Sequence, residues 1–258
     1  MVQIIIRAVR LACGTLGLAL LAGGVSAPRA ADVADRVTRT VAAPAKGVRV
    51  DATVGEVAIA GSDRTDVAIE IVRRAPSSAE LLRFPASVTQ DNGILRVNAV
   101  QDNDGRDPRL TSTIVLRIPS ATQVDAVRLF EGRVRLESLT SACDVDVRRG
   151  AIDAAGLAGR IRLEIGSGPI DLRNASLGAG GMMRLRAFNG AVNVQLAREP
   201  ENARILALTF NGTITSTLPL TMKDKFGPRF GEATIGSGEP VLSIDVVRGD
   251  IAIRVGDR

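Results

Sequence analysis

Apolar and polar residues alternate along most of this chain, and glycines punctuate the alternation in a recurring phrase, Gly-x-(Val/Ile/Leu). The phrase appears as Gly55-Glu56-Val57, Gly93-Ile94-Leu95, Gly132-Arg133-Val134, Gly150-Ala151-Ile152, Gly168-Pro169-Ile170, Gly190-Ala191-Val192, Gly212-Thr213-Ile214 and Gly249-Asp250-Ile251. From Gly132 the glycines step by 18, 18, 22 and 22 residues. A near-fixed period of this length marks a repeat architecture.

Aligning the copies on their glycines sets the phase of the repeat. Ile165, Leu163 and Ile161 stand three, five and seven residues before Gly168, and Ile170 and Leu172 stand two and four after it. The same offsets give Val246, Ile244, Leu242, Ile251 and Ile253 around Gly249, and Ala187, Leu185, Met183, Val192 and Val194 around Gly190. Gly55 repeats the pattern with Ala52, Val50, Val48, Val57 and Ile59. Period-two alternation on each arm describes a strand with one buried face. Before Gly212 the large residues Leu206, Leu208 and Phe210 fall at even offsets instead, which predicts a bulge or register shift there.

A glycine at the junction of two arms suits a sharp bend, because it reaches positive φ without a Cβ clash. Two copies read Asn-Gly (Asn189-Gly190 and Asn211-Gly212), which is also a strong hairpin signal. Two architectures therefore compete: a β-solenoid stacked in parallel, and an antiparallel meander. Regular repeat length and recurring offsets favour an all-β, single elongated solenoid. Stacking would then lay Arg128 beside Asp146 and Glu164 beside Arg186, with Arg135, Asp153, Asp171 and Asn193 aligned on the second arm. Exposed pairs of this kind contribute only ~0.2–1 kcal/mol each, so the columns read first as a solvated charged face.

The ends and connections follow a different pattern. Arg7 and Arg10, the apolar run Leu11–Val25 and the small residues Ser26, Ala27, Ala30 and Ala31 read as a signal peptide cut near residue 30. The apolar run is short for a membrane span of ~20 residues, and Cys13 lies too early for a lipoprotein site. The expected organisation is a signal peptide at 1–30, a lead-in at 31–45 and a repeat domain at 46–256, with a short helix near Ser77–Leu82. Two segments interrupt the repeat, Asp102–Pro108 and Leu220–Gly231; the second carries Met222, Lys223, Lys225, Phe226 and Phe230, which either make a contact site or, the favoured reading, cap the open end of the stack.

Charge and composition narrow the function. The net charge of +5 falls to about +2 once Arg7, Arg10 and Arg29 are removed, and the signs are interspersed. No basic stripe remains for nucleic acid. The sequence has no histidine, tryptophan or tyrosine, and beyond Cys13 its only cysteine is Cys143. The commonest general base and metal ligand are thus missing, and Ser/His/Asp or Cys/His triads are impossible. Gly166-Ser167-Gly168 and Gly236-Ser237-Gly238 read as turns, and Cys143 as a buried inert thiol. No residue qualifies as catalytic, cofactor-binding or metal-binding, and no cofactor is expected. The competing enzyme reading, a carbohydrate-active β-helix, would have to rest on Asp144, Asp146, Asp153 and Asp171. Arg148, Arg149, Arg162 and Arg173 are interleaved with these aspartates and favour charge neutralisation.

Phe210-Asn211-Gly212-Thr213-Ile214, Ile235-Gly236-Ser237-Gly238 and the run Val241 to Ile251 resemble the bacterial β-strand-repeat family labelled "putative adhesin", as does the opening from Val48 to Gly61. The likeness spans about residues 46 to 256. It implies an extracytoplasmic β-solenoid-like domain and supplies no catalytic motif. Arg248 before the last glycine and Phe130-Glu131 before Gly132 depart from the family pattern. The expectation is an exported, non-enzymatic module in the periplasm or at the cell surface. Its partner would be an envelope polysaccharide or another envelope protein, with no nucleic acid and with membrane contact only through an uncleaved leader. An envelope-stress sensory role is a weaker third reading.

Overall fold

The protein is described by a computed structural model covering residues 32–102, 107–178, 181–223 and 227–256. The expected signal peptide and residues 103–106 of the Asp102–Pro108 segment lie outside the described residues. The fold is all-β with one short helix, α1 (Ser78–Arg83), which begins at the Ser77 N-cap.

Most of the repeats form two-armed rungs bent at their glycine. In β2 (Gly47–Ser62), β7 (Val124–Glu137) and β8 (Cys143–Ala155) the strand runs through the bend. In the others the bend separates two strands: β9 (Ile161–Ser167) from β10 (Ile170–Ala175), β11 (Met182–Asn189) from β12 (Val192–Leu196), β13 (Ala203–Asn211) from β14 (Ile214–Ser216), and β17 (Val241–Arg248) from β18 (Ile251–Val255). First arms pair in parallel in the order β2, β7, β8, β9, β11, β17, β13. Second arms pair in parallel in the order β2, β7, β8, β10, β12, β18, β14. The return turns between rungs also bond to one another, with Thr140 N–H donating to Ser120 O, Ala158 N–H to Leu139 O and Ser176 N–H to Leu157 O.

In-register stacking lines up like residues at like offsets. Val50, Val127, Val145, Leu163, Leu185, Ile244 and Ala207 form one buried column of the first arms. Val57, Val134, Ile152, Ile170, Val192 and Ile251 form its counterpart on the second arms. Both columns belong to a single hydrophobic cluster. Val145, Ile161, Leu163, Leu185, Val192 and Ile244 are all buried and paired in parallel with their offset-matched neighbours.

The corner glycines make a column of their own, and the physical reason is closer than a turn preference. From Gly55 through Gly132, Gly150, Gly168 and Gly190 to Gly249 their φ lies between +125° and +154°. A Cβ on any of these six, or on Gly212, would stand 1.6–2.2 Å from a carbonyl oxygen of the neighbouring rung. At the six, side chains are thus excluded twice over, and at Gly212 by the close approach alone. Gly132 and Gly249, despite the unusual residues before them, bend like the rest.

Stack order departs from chain order at both ends. The last rung in sequence, β17–β18, lies between β11–β12 and β13–β14. At the other end β5 (Ile94–Ala99) and β6 (Thr111–Pro119) flank the two arms of β2 on its outer side. Antiparallel strands finish each end. The sequence Val33–Ala42, expected as lead-in, forms β1 on β3 (Asp66–Ala75), which pairs with β6. β4 (Ser87–Asp91) covers β5, while β15 (Thr221–Lys223) and β16 (Arg229–Ile235) cover β13. The segment Leu220–Gly231 therefore contributes to a capping hairpin, in which Lys223 Nζ lies 5.8 Å from the Phe230 ring; its residues Lys225 and Phe226 lie outside the described residues.

Two local expectations need correction. Before Gly212 the phase does not break: Ala203, Ile205, Ala207 and Thr209 are buried, and pairing with β17 shows no register shift. The larger residues Leu206, Leu208 and Phe210 face outward, so side-chain size misleads where parity does not. Gly93 is not a corner but closes the β4–β5 hairpin with Asn92, both at positive φ. The Asn-Gly pairs at 189–190 and 211–212, by contrast, lie at bends between parallel-stacked arms.

Candidate functional site

On the outer face of the first arms, the position two before each corner runs along the stack as Phe130, Arg148, Gly166, Phe188, Val247 and Phe210. The order follows from the paired flanking residues, with Val246 between Ala187 and Thr209, and Arg248 between Asn189 and Asn211. Even offsets point away from the core, and Phe188 and Phe210 are 60% and 54% exposed. They stand two rungs apart, about 10 Å at the usual strand spacing, with Val247 between them. Gly166, which carries no side chain, lines the space beside Phe188. The result is a groove of about 500 Å³ lined by Phe188, Phe210, Leu208, Val247 and the charged residues beside them.

Two positions further from the corner runs the charged column Asp51, Arg128, Asp146, Glu164, Arg186, Asp245. Arg128 pairs in register with Asp146 as expected, and Arg186 forms an ion pair with Glu164 at 3.4 Å. Arg162 bridges Glu164 at 2.8 Å and Asp144 at 3.1 Å, and its hydrogen bond to Asp144 holds the guanidinium above its ordinary pKa. Arg184 approaches Asp245 at 3.8 Å. Opposite charges thus border the apolar strip, half-exposed and mutually compensated.

The four aspartates of the enzyme reading are not brought together. Asp144 and Asp146 lie on the first arm of β8, before the bend. Asp153 and Asp171 lie beyond it, in register on neighbouring second arms. Arg133 donates to Asp153 at 3.0 Å, and Asn193 Nδ2 donates to Asp171 at 2.7 Å. These two carboxylates border a polar groove of about 490 Å³ with Arg173 and Arg254. Acid–base hydrolysis needs two carboxyl groups held in different protonation states; here each of the two carboxylates is engaged by a side-chain donor, Arg133 on one and Asn193 on the other.

Cys143 is buried among core residues at the start of β8, and burial, followed by the nearby Asp144 charge, pushes its thiol up to about 12. Ser167 ends β9 beside the Gly168 corner, and Ser237 sits in a turn, its N–H donating to Asn202 Oδ1 at 2.8 Å. Ser237 thus occupies a turn, as its glycine flanks indicate, whereas Ser167 is still a strand residue, the last before the bend. The Phe188–Phe210 strip went unrecognised in the sequence because Phe210 read as a core residue. Counting parity back from Gly212, as at every other corner, would have placed it outside.

No protein-family model and no curated protein sequence matches the chain. Among solved structures it is similar to a "putative cell adhesion protein" from Clostridium sporogenes, at 9% identity over 87% of this chain and 100% of that one, with a TM-score of 0.49. A "putative adhesin" from Bacteroides fragilis shares 14% identity over 86% of this chain and 97% of its own, with a TM-score of 0.39. A "putative adhesin" from Parabacteroides merdae shares 11% over 86% and 96%, with a TM-score of 0.25. These names match the family that the sequence resembles, while likeness at this distance carries no functional information.

Proposed function

We propose that the chain is an exported, non-enzymatic interaction module of the cell envelope, a β-solenoid that holds an envelope protein against the outer face of its first arms. The layout is a signal peptide at 1–30, a lead-in at 31–45 and the repeat domain at 46–256. Parallel arms, the glycine column and the bonded return turns support the solenoid reading. The observation that carries the binding reading is the exposed pair Phe188 and Phe210, fixed two rungs apart across Val247. Exposed aromatics beside arginines on a rigid surface are the residues that dominate protein–protein contacts. Parallel pairing on both sides of β11 and β17 holds the strip without a loop that would need ordering on binding.

The test is retention of the purified protein on envelopes of its own cells, native beside the Phe188→Ala/Phe210→Ala double variant. The double variant should bind at least tenfold more weakly while melting as the native protein does, since both rings are more than half exposed. Protease treatment of the envelopes should abolish retention. Unchanged retention by the double variant would refute the assignment of the face. Loss on glycan digestion alone would transfer the role to a polysaccharide.

A further inference from the structure

Among the described residues, β1 bonds along one edge only, to β3. That leaves ten residues of strand backbone without a neighbour along the other edge, in a segment with no glycine, proline or bulge. Sheet proteins blunt such edges because unpaired N–H and C=O groups recruit further strands. Along β1, Val33, Asp35, Val37, Arg39 and Val41 share the face that meets the core, against which Val37 and Val41 pack. Ala34, Arg36, Thr38, Thr40 and Ala42 share the other.

We propose that β1 pairs antiparallel with β1 of a second copy of this chain, about a twofold axis through Val37. In that register Val33 faces Val41 of the partner, Val37 faces itself, and Asp35 faces Arg39, each relation occurring twice except the central one. Every neighbouring register is worse. Centring on Arg36 sets Asp35 against Val37 and Val33 against Arg39. Centring on Thr38 sets Val37 against Arg39, and centring on Asp35 or Arg39 sets like charges face to face. Opposite charges and paired valines across strands stabilise antiparallel pairs, and like charges directly opposite destabilise them. A symmetric pair of this kind is the usual solution for a self-complementary surface.

The side chains have the capacity that this pairing needs. Asp35 is ion-paired with the buried Arg73, yet its side chain is 37% exposed, and an ionised carboxylate accepts several hydrogen bonds. Arg39 donates from Nη1 to Val88 O at 3.2 Å, which uses one of the guanidinium's five N–H groups. On the outer face the ion pair of Arg36 with Glu70 stays within one copy. Pairing of β1 would join the second-arm sheets of two copies into one and double the number of Phe188–Phe210 strips per particle, which strengthens attachment to a surface by avidity.

Light scattering across a dilution series of the native protein, as the expressing cell produces it, should show a dimer that dissociates to monomer. Arg39→Asp sets a carboxylate against the Asp35 of the other copy at both ends of the pair and should raise the dissociation constant at least tenfold with the thermal transition retained. Cross-linking reads the register directly. Mixed Arg36→Cys and Thr38→Cys proteins should form a disulfide-linked heterodimer on mild oxidation, while neither alone does so, because residue 36 faces residue 38 of the partner. Both positions are exposed and Cys143 is buried, so neither folding nor a background thiol interferes. A protein that is monomeric at every concentration, including one whose residues 1–31 cover this edge, would overturn the proposal. So would a dimer indifferent to Arg39→Asp, or one in which Thr38→Cys links to itself.

Discussion

Replacing Gly150 with alanine puts the glycine column under the sharpest strain. Its φ is +138°, and an added Cβ would lie 1.6 Å from Gly132 O and 2.6 Å from Gly132 C. Backbone held in a region that only glycine visits costs about 1–3 kcal/mol. Forcing apart well-packed neighbours costs a further ~1–3 kcal/mol. The sum, about 4 kcal/mol, is a large fraction of the ~5–15 kcal/mol that holds a domain together. At ~2–4 °C per kcal/mol for a chain of this size, the melting temperature should fall by about 8–16 °C. Three other glycines separate the causes. Gly178 has open space and no positive φ, Gly227 has φ +135° with open space, and Gly212 lacks the positive φ but faces Gly249 O at 2.0 Å. Calorimetry of the four alanine variants should rank Gly150 as most costly and Gly178 within ~0.5 kcal/mol of native, as for surface changes generally. If Gly150→Ala costs no more than Gly227→Ala, the close approach between rungs contributes nothing and the packing argument is wrong.

Two further outcomes follow from the stack. Asn193 lies in register with Ala252, whereas Thr215 lies one rung beyond; a disulfide should therefore form in the Asn193→Cys/Ala252→Cys variant and not in Asn193→Cys/Thr215→Cys, because Cα atoms more than 7 Å apart cannot be bridged. The reverse result would restore chain order to the rungs. Cys143, buried with its thiol pushed up to about 12, should resist alkylation at pH 8 in the folded protein and react fully once unfolded; prompt labelling of the native state would place it at the surface.

The arms of the fold are legible because the buried columns are branched or long aliphatics at fixed offsets from a glycine, as at Ile161, Leu163 and Ile165. Burial on one pleat face leaves that periodicity in the sequence. The rung order is not legible, since β17–β18 fits between β11–β12 and β13–β14 through contacts distant in the chain, and equal repeats look alike in any order. The end strands were obscured for a related reason. β1 alternates Val33, Val37 and Val41 with charged and hydroxyl residues, but its inner face carries Asp35, whose partner Arg73 is 38 positions away. At the candidate site the sequence points away from catalysis through its lack of histidine and its interleaved arginines. The aromatic strip stays hidden behind the assumption that Phe210 is core. Thr209, small and fully buried, takes the inward place instead, its hydroxyl donating to Gly249 O at 2.9 Å.

The most direct test of binding without chemistry is one incubation read two ways. The purified protein is mixed with envelopes of its own cells and with a panel of neutral and anionic polysaccharides, and bound protein and newly released reducing ends are measured together. The account predicts saturable retention on the envelopes that depends on Phe188 and Phe210, with no release of reducing ends from any polymer. Release that is abolished by Asp153→Asn or Asp171→Asn would contradict it and assign the second-arm groove to hydrolysis.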